Sequence, residues 1–241
     1  MSAILWRLVR WDIRLQAREN IYAFTVLTTL GFAIFIWLLP PEAPHTIFTL
    51  VLFFDPAIVG ASFVGAIVLM ERSQNTLSAL AVSPASARHY ILAKVITLTA
   101  LAIAGSLALV AAAYWVPPPD MVARFTLALV LTGAIGALGG LLIVAGANSM
   151  NHFIARALPI TIILFLPLLS HFGIVTGLWQ WLLFAINPGH AMLRIMLWAA
   201  DPSSVTLADI LYAFAYLAVL ALLLFRWADA VYSSELSRVE E

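Results

Sequence analysis

The sequence predicts an all-α membrane protein with six transmembrane helices, an amphipathic interfacial helix ahead of them and a re-entrant helix pair before the last span. Three observations carry this expectation. First, hydrophobic residues make up 63% of the 241 residues and charged residues only 10%, with a mean hydropathy of +1.03. A soluble domain carries about 25% charged residues, so this chain could not clothe a soluble surface of its size in polar groups. A soluble enzyme and a disordered tail are both excluded. Second, the apolar runs are continuous, whereas barrel strands would alternate over about ten residues. Third, the basic residues segregate to one side of the topology those runs imply.

Crossing the hydrocarbon takes about 20 apolar residues as a helix. The candidate spans are 21–39, closed by Pro40-Pro41; a run within 47–70; a run following Lys94 to 116, stopped by Pro117-Pro118-Pro119; 125–147; 157–172, with Pro159 and Pro167 inside; and 207–225. The first run is too long for a signal-peptide core, and Leu-Leu-Pro-Pro-Glu offers no small-residue cleavage site, so it reads as a retained span. With the N-terminus inside, the cytoplasmic segments hold Arg7, Arg10, Arg14, Arg18, Arg72, Arg88, Lys94, Arg156, Arg226 and Arg238, against Arg124 and Arg194 outside. The expectation is one domain, 1–241, multi-pass in the cell (plasma or inner) membrane, with both termini cytoplasmic.

Three segments lie outside the spans. In 2–19, Ile4, Leu8, Trp11 and Leu15 stack on one helical face, and Arg7, Arg10, Arg14 and Arg18 form a second stripe within an arc of about 80°. A basic orientation signal would explain the arginines but not the matching apolar stripe; an interfacial helix on an anionic leaflet explains both. In 71–94, Ser83-Pro84 has the form of an N-cap and first helical residue, so two helical pieces broken at that pair are expected. Thr76, Leu77, Leu80 and Val82 give the first piece an apolar side suited to docking. In 173–206, the runs 178–186 and 191–200 are too short to cross and are separated by the turn Asn187-Pro188-Gly189. They read as a re-entrant pair, whose backbone must be buried in protein or line a cavity.

The chemistry-bearing residues are sparse. There is no Gly-x-x-x-x-Gly-Lys-[Ser/Thr], so nucleotide phosphates have no cradle on this chain, and neither His-Glu-x-x-His nor Gly-x-Ser-x-Gly occurs. Cysteine is absent, and the five histidines are scattered without an i, i+4 pair, so no metal or other cofactor is expected in this chain. A net charge of zero leaves no broad cationic surface for nucleic acid. Asp55 precedes Pro56, a helix-start signature; as an intramembrane carboxylate it would instead belong to a translocation path. Gly136 and Gly140, with Gly133, Gly139 and Gly146 nearby, form a small-residue face for close helix packing, as do Ala57, Ala61 and Gly65.

The run Glu71-Arg72-x-x-x-Thr76-Leu77-x-x-Leu80-x-Val82-Ser83-Pro84, followed by Tyr90-Ile91-Leu92-Ala93-Lys94, resembles the signature of type-2 ABC exporter permeases. Asn75 stands where that family commonly has glycine. Asn187-Pro188 followed by Ala191 and Arg194 resembles its outer-loop motif, and Phe54-Asp55-Pro56 through Glu71-Arg72 is similar to drug-export permeases of the fluoroquinolone type. The resemblance spans essentially the whole chain, with the motif match concentrated in about 40 residues. It implies a permease subunit whose loop at Glu71, Arg72, Thr76, Leu77, Leu80 and Pro84 docks on a separate ABC ATPase subunit, with ATP and Mg held by that partner. A second permease copy, as a homodimer or paired heterodimer, is implied as well, exporting a drug, lipid or other amphiphile. Haem-export permeases are the nearest rival. A secondary transporter or channel would need several intramembrane charges, where only Asp55 qualifies; a membrane scaffold would neither bind an ATPase nor stimulate ATP hydrolysis.

Overall fold

A computed structural model of the chain describes residues 2–39, 60–74, 76, 80 and 83–240. All regular structure among them is helical: α1 (Ser2–Arg18), α2 (Ile21–Leu38), α3 (Gly60–Ser73), α4 (Ala87–Tyr114), α5 (Pro119–Ala145), α6 (Met150–Phe165), α7 (Leu168–His171), α8 (Leu178–Phe184), α9 (Pro188–Ala200) and α10 (Leu207–Glu240), with a 3₁₀ turn at Pro202–Ser204. Five stretches among the described residues are long and apolar enough to cross a membrane: α2, α4, α5, the α6–α7 unit Met150–His171, and Leu207–Ser237 of α10. The chain is thus an all-α, multi-pass membrane protein. The expected second span is described only from Gly60 onward, and Asp55 lies outside the described residues.

Local chemistry explains the boundaries, several of which differ from expectation. Asn20 joins α1 to α2 at φ 58°, a left-handed conformation that asparagine tolerates. Helix α4 begins at Ala87, ahead of Lys94 rather than after it. Ser83-Pro84 does not cap it: the Ser83 hydroxyl donates to Leu80 O at 2.7 Å and accepts from the Ala85 N–H at 3.2 Å, closing a turn ahead of the helix. Instead Ser86 precedes the helix, and the His89 imidazole turns back to accept from the Ser86 N–H at 3.3 Å. The Pro117–Pro119 run ends α4 and also starts α5, with Pro119 as first helical residue, where a missing N–H costs nothing. Pro159 sits inside α6, and Pro167 separates α6 from the single turn of α7. Helix α10 continues far past residue 225, and its 34 residues reach about 50 Å at 1.5 Å per residue.

Helix α5 is the most buried span and touches α3, α4, α9 and α10. Its two ends belong to two cores. One gathers Leu109, Phe125, Leu129, Met192, Met196 and Leu217 from α4, α5, α9 and α10. The other gathers Leu15, Val64, Ile67, Ile91, Leu141 and Phe153 from α1, α3, α4, α5 and α6. In the first, the turn before α9 is pinned from two directions. Asn187 Nδ2 donates to Ile163 O of α6 at 2.6 Å, while its Oδ1 accepts from Gly189 N–H at 2.8 Å. This draws the turn so close that a Cβ on Gly189 would collide with the Leu164 carbonyl oxygen.

That contact yields a stability test. Gly189→Ala should destabilise the detergent-solubilised protein by about 1–3 kcal/mol, because backbone rather than a side-chain tip must move. Gly139→Ala, where a new Cβ meets nothing within 4 Å, should be neutral or slightly stabilising through helix propensity. Equal melting temperatures for the two variants would refute the close approach at Gly189.

Candidate functional site

The residues flanking the segment 74–86 converge at the end of the bundle that carries α1. Along α4, Tyr90, Lys94 and Thr97 recur at helical spacing and so share a face. Along α1, Asp12 and Gln16 do the same, and all five side chains are buried. Lys94 Nζ donates to Asp12 Oδ1 at 2.6 Å and to Glu71 Oε1, from the end of α3, at 2.5 Å. Tyr90 Oη donates to Glu71 Oε2 at 2.7 Å, and Gln16 Nε2 to Thr97 Oγ1 at 3.0 Å. Lys94 is the only lysine in the sequence, and its side chain is 1% exposed. Burial pushes the Asp12 carboxyl up to about 6, against the opposing pull of the Lys94 charge.

Arg72, next to Glu71, makes a second junction. The last carbonyls of a helix lack intrahelical partners and carry the negative end of its dipole. The Arg72 guanidinium meets that need for α5. Nη1 donates to Val144 O and Ala147 O at 3.0 and 2.9 Å, and Nη2 to Ala145 O at 3.1 Å. Nη2 also lies 2.9 Å from both carboxylate oxygens of Glu235 on α10. Two further contacts tie α10 to this end. Arg88 Nε donates to Asp229 Oδ2 at 2.8 Å, and Tyr232 Oη, on a ring tilted by 39° against that of Tyr90, donates to Leu141 O at 3.1 Å.

Of the residues singled out from sequence, Glu71 and Arg72 therefore face inward and anchor the loop. Leu80 is also buried, within the core that holds Leu15 and Ile91. Thr76 is half-buried and Pro84 exposed, while Leu77 lies outside the described residues. Gly136 and Gly140 are buried in α5. A cavity of about 240 Å³ flanks the cluster, with Leu8, Trp11, Asp12, Glu71, Thr76 and Leu80 on its wall. Asp12 and Gln16 belong to neither the apolar nor the basic stripe of α1. The signal for Asp12 was present: it is the only acid on α1, and Lys94 is the one lysine in the whole chain.

The Fluoroquinolones export permease protein family matches residues 3–237. The chain belongs to that family. Two relatives, the fluoroquinolones export permease proteins of Mycobacterium tuberculosis strains CDC 1551 / Oshkosh and ATCC 25618 / H37Rv, are each 27% identical over 230 residues, covering 93% of this chain and 92% of theirs. No solved structure gives a significant match. The chain is a transport permease and not a catalytic enzyme. Membership places this multi-pass protein in the plasma membrane and among components of the ABC exporter type.

The charge cluster predicts an asymmetric mutational response. Lys94→Met leaves two buried carboxylates facing each other and should cost about 3–5 kcal/mol, whereas replacing Lys94, Asp12 and Glu71 together with apolar residues of similar size should recover most of it. Thermal unfolding in detergent measures both. A triple variant no more stable than Lys94→Met would show that the cluster does more than satisfy its own charges.

Proposed function

We propose that this permease is the membrane subunit of an ATP-driven ABC exporter, with ATP and Mg held by a separate ATPase subunit. In this reading the end carrying α1 is cytoplasmic and the chain crosses the membrane six times. The α8–α9 pair in 173–206 dips into the outer leaflet, and two permease copies assemble with two ATPases. The relatives are named for fluoroquinolone export, so an amphiphilic drug of that class is the proposed cargo. Arg7, Arg10 and Arg14 are exposed on α1 beside exposed Trp6, Trp11 and Ile13. That mixed surface suits the headgroup region of an anionic leaflet.

The observation that carries the proposal is the double clamp on the loop. One end is held by Glu71 and Arg72, the other by Lys94, and together they join α3 to α1, α4, α5 and α10. A partner pressing on the segment between them cannot move it without moving the helix ends. Closure of the ATPases would then be transmitted as tilting of α1 and the spans, shifting the permease between inward and outward openings. Leu80, being buried, braces the loop from within; Thr76 and Leu77 are the proposed contacts to the ATPase. The buried charges of the cluster lie together at one end, whereas a secondary transporter places its charges near the bilayer midplane.

Two measurements test this. Leu77→Asp adds a charge that a docking groove must desolvate, at a cost of several kcal/mol unless paired. The variant should insert with unchanged stability but lose co-purification of the ATPase and fluoroquinolone efflux; retention of both would overturn the docking assignment. Reporter fusions after residues 85 and 152 should report cytoplasm, and one after Ser203 the outside. A cytoplasmic signal at Ser203 would overturn the six-span topology.

A further inference from the structure

The buried cluster on α1 has one acceptor too many. It contains two carboxylates, Asp12 and Glu71, at 4% and 2% exposure, against the single ammonium of Lys94. Lys94 serves Asp12 Oδ1 and Glu71 Oε1, and Tyr90 serves Glu71 Oε2. The Gln16 amide is spent on Thr97, whose hydroxyl donates in turn to Ala93 O at 3.0 Å. Asp12 Oδ2 and Gln16 Oε1 are left buried without a hydrogen-bond partner. Both are acceptors, and they sit one turn apart on the same face of α1. Leaving two such atoms unpaired is costly, and so is an excess negative charge away from water.

A single hydrogen removes all three defects. We propose that Asp12 is a proton-binding site, in which a proton on Oδ2 is donated to Gln16 Oε1 and seals α1 against α3 and α4. Protonation gives Asp12 the donor it lacks, satisfies Gln16, and balances one remaining carboxylate against one ammonium. The groups facing Asp12 are Glu71 from α3, Lys94, Tyr90 and Thr97 from α4, and Tyr22 from α2. The rise of the Asp12 carboxyl from 3.8 to about 6 is in keeping with this site.

The sign of the linkage follows. With α1 docked, Asp12 titrates near 6; with α1 lifted into water it returns to the ordinary 3.8. Docked permease therefore binds more protons between those values. The contribution to docking is complete below pH 3.8 and is lost as pH rises through 6. Over that window the docking equilibrium should change by about a hundredfold, roughly tenfold for each pH unit crossed. If α1 moves with the loop, as the proposed transport cycle requires, undocking at a pH between those two values would release a proton into the cytoplasm. That last step alone rests on the proposed function.

The test uses the full-length permease in lipid nanodiscs, without ATPase or drug. Infrared titration from pH 8 to 4 should show one carboxylic-acid carbonyl band growing with a midpoint near 6, absent in Asp12→Asn. Hydrogen exchange of the α1 amides should speed up from pH 5 to 7, after correction for intrinsic rates, in the native protein. In Asp12→Asn it should stay slow throughout, because the asparagine amide can donate to Gln16 Oε1 at every pH. A midpoint near 4 would overturn the proposal. It would mean that the Gln16 amide sits reversed, donating to an ionised Asp12. An identical pH response of α1 in native protein and Asp12→Asn would overturn it as well. Neither readout depends on transport, so failure here is distinguishable from failure of the exporter assignment.

Discussion

Burying the Lys94 ammonium is the constraint around which one end of this bundle is organised. Taking such an ion out of water costs several kcal/mol even after relaxation, and it is tolerated only where good partners surround it. Lys94 finds them on two other elements, Asp12 lying 82 residues away in sequence and Glu71 23 residues away. Each partner fixes a different degree of freedom. Asp12 sets the register of α1 along α4, and Glu71 sets where α3 ends. Apolar side chains such as Leu15, Val64 and Ile91 fill the space between these helices, but they would accept several registers. A three-charge contact with distances of 2.5 and 2.6 Å accepts one.

The opposite end is held together by other means. There the α8–α9 unit is packed through aromatic rings, with Trp181, Phe184 and Tyr212 around the buried His190. Tyr212 and Tyr216 of α10 donate to the carbonyls of Ala185 and Ile186, which have no partner in α8 itself. Tyrosine suits this task, since its body is apolar and its tip can satisfy a helix end. Arg194 adds a contact to Gln180 at 2.8 Å and a stacked position near Trp181. A buried three-charge cluster marks the end with the loop, and aromatic packing around His190, with Arg194 also 3.8 Å from Asp209, marks the other. A mechanical input at the loop therefore meets stiff, directional contacts first.

Five of the six expected spans were legible because continuous apolar runs have few other uses, and the Pro117–Pro119 stop and the Asn187-Pro188-Gly189 turn were legible from backbone chemistry. Helix ends were not. Helices α4 and α10 extend past their apolar runs at the charged end, where hydropathy falls but hydrogen bonding continues. In α10 this extension carries Asp229, Tyr232 and Glu235, which pair with Arg88, Leu141 and Arg72. Such pairings are set by tertiary position, and no spacing within one segment announces them. Glu71, Arg72, Tyr90 and Lys94 were visible as a motif, yet the motif points equally well to an outward docking face. Their inward orientation depends on Asp12 and on the C-terminus of α5, both remote in sequence.

A charged cluster here, where apolar residues would pack at less cost, also bears on motion. An apolar α1 face would resist separation in proportion to the area exposed, about 25 cal/mol per Å², and would gain nothing from the water that enters. Carboxylates and an ammonium behave differently. Their attraction is strong when dry, but each is well solvated once water reaches it, so the cost of the open state falls. Specificity when closed and tolerance when open are thus supplied by the same residues. Conformational change needs interfaces with discrete, nearly balanced arrangements rather than continuously deformable ones. The Asp12–Lys94–Glu71 contact, with its unpaired acceptors on α1, has the chemistry for two such arrangements, one dry and directional and one hydrated.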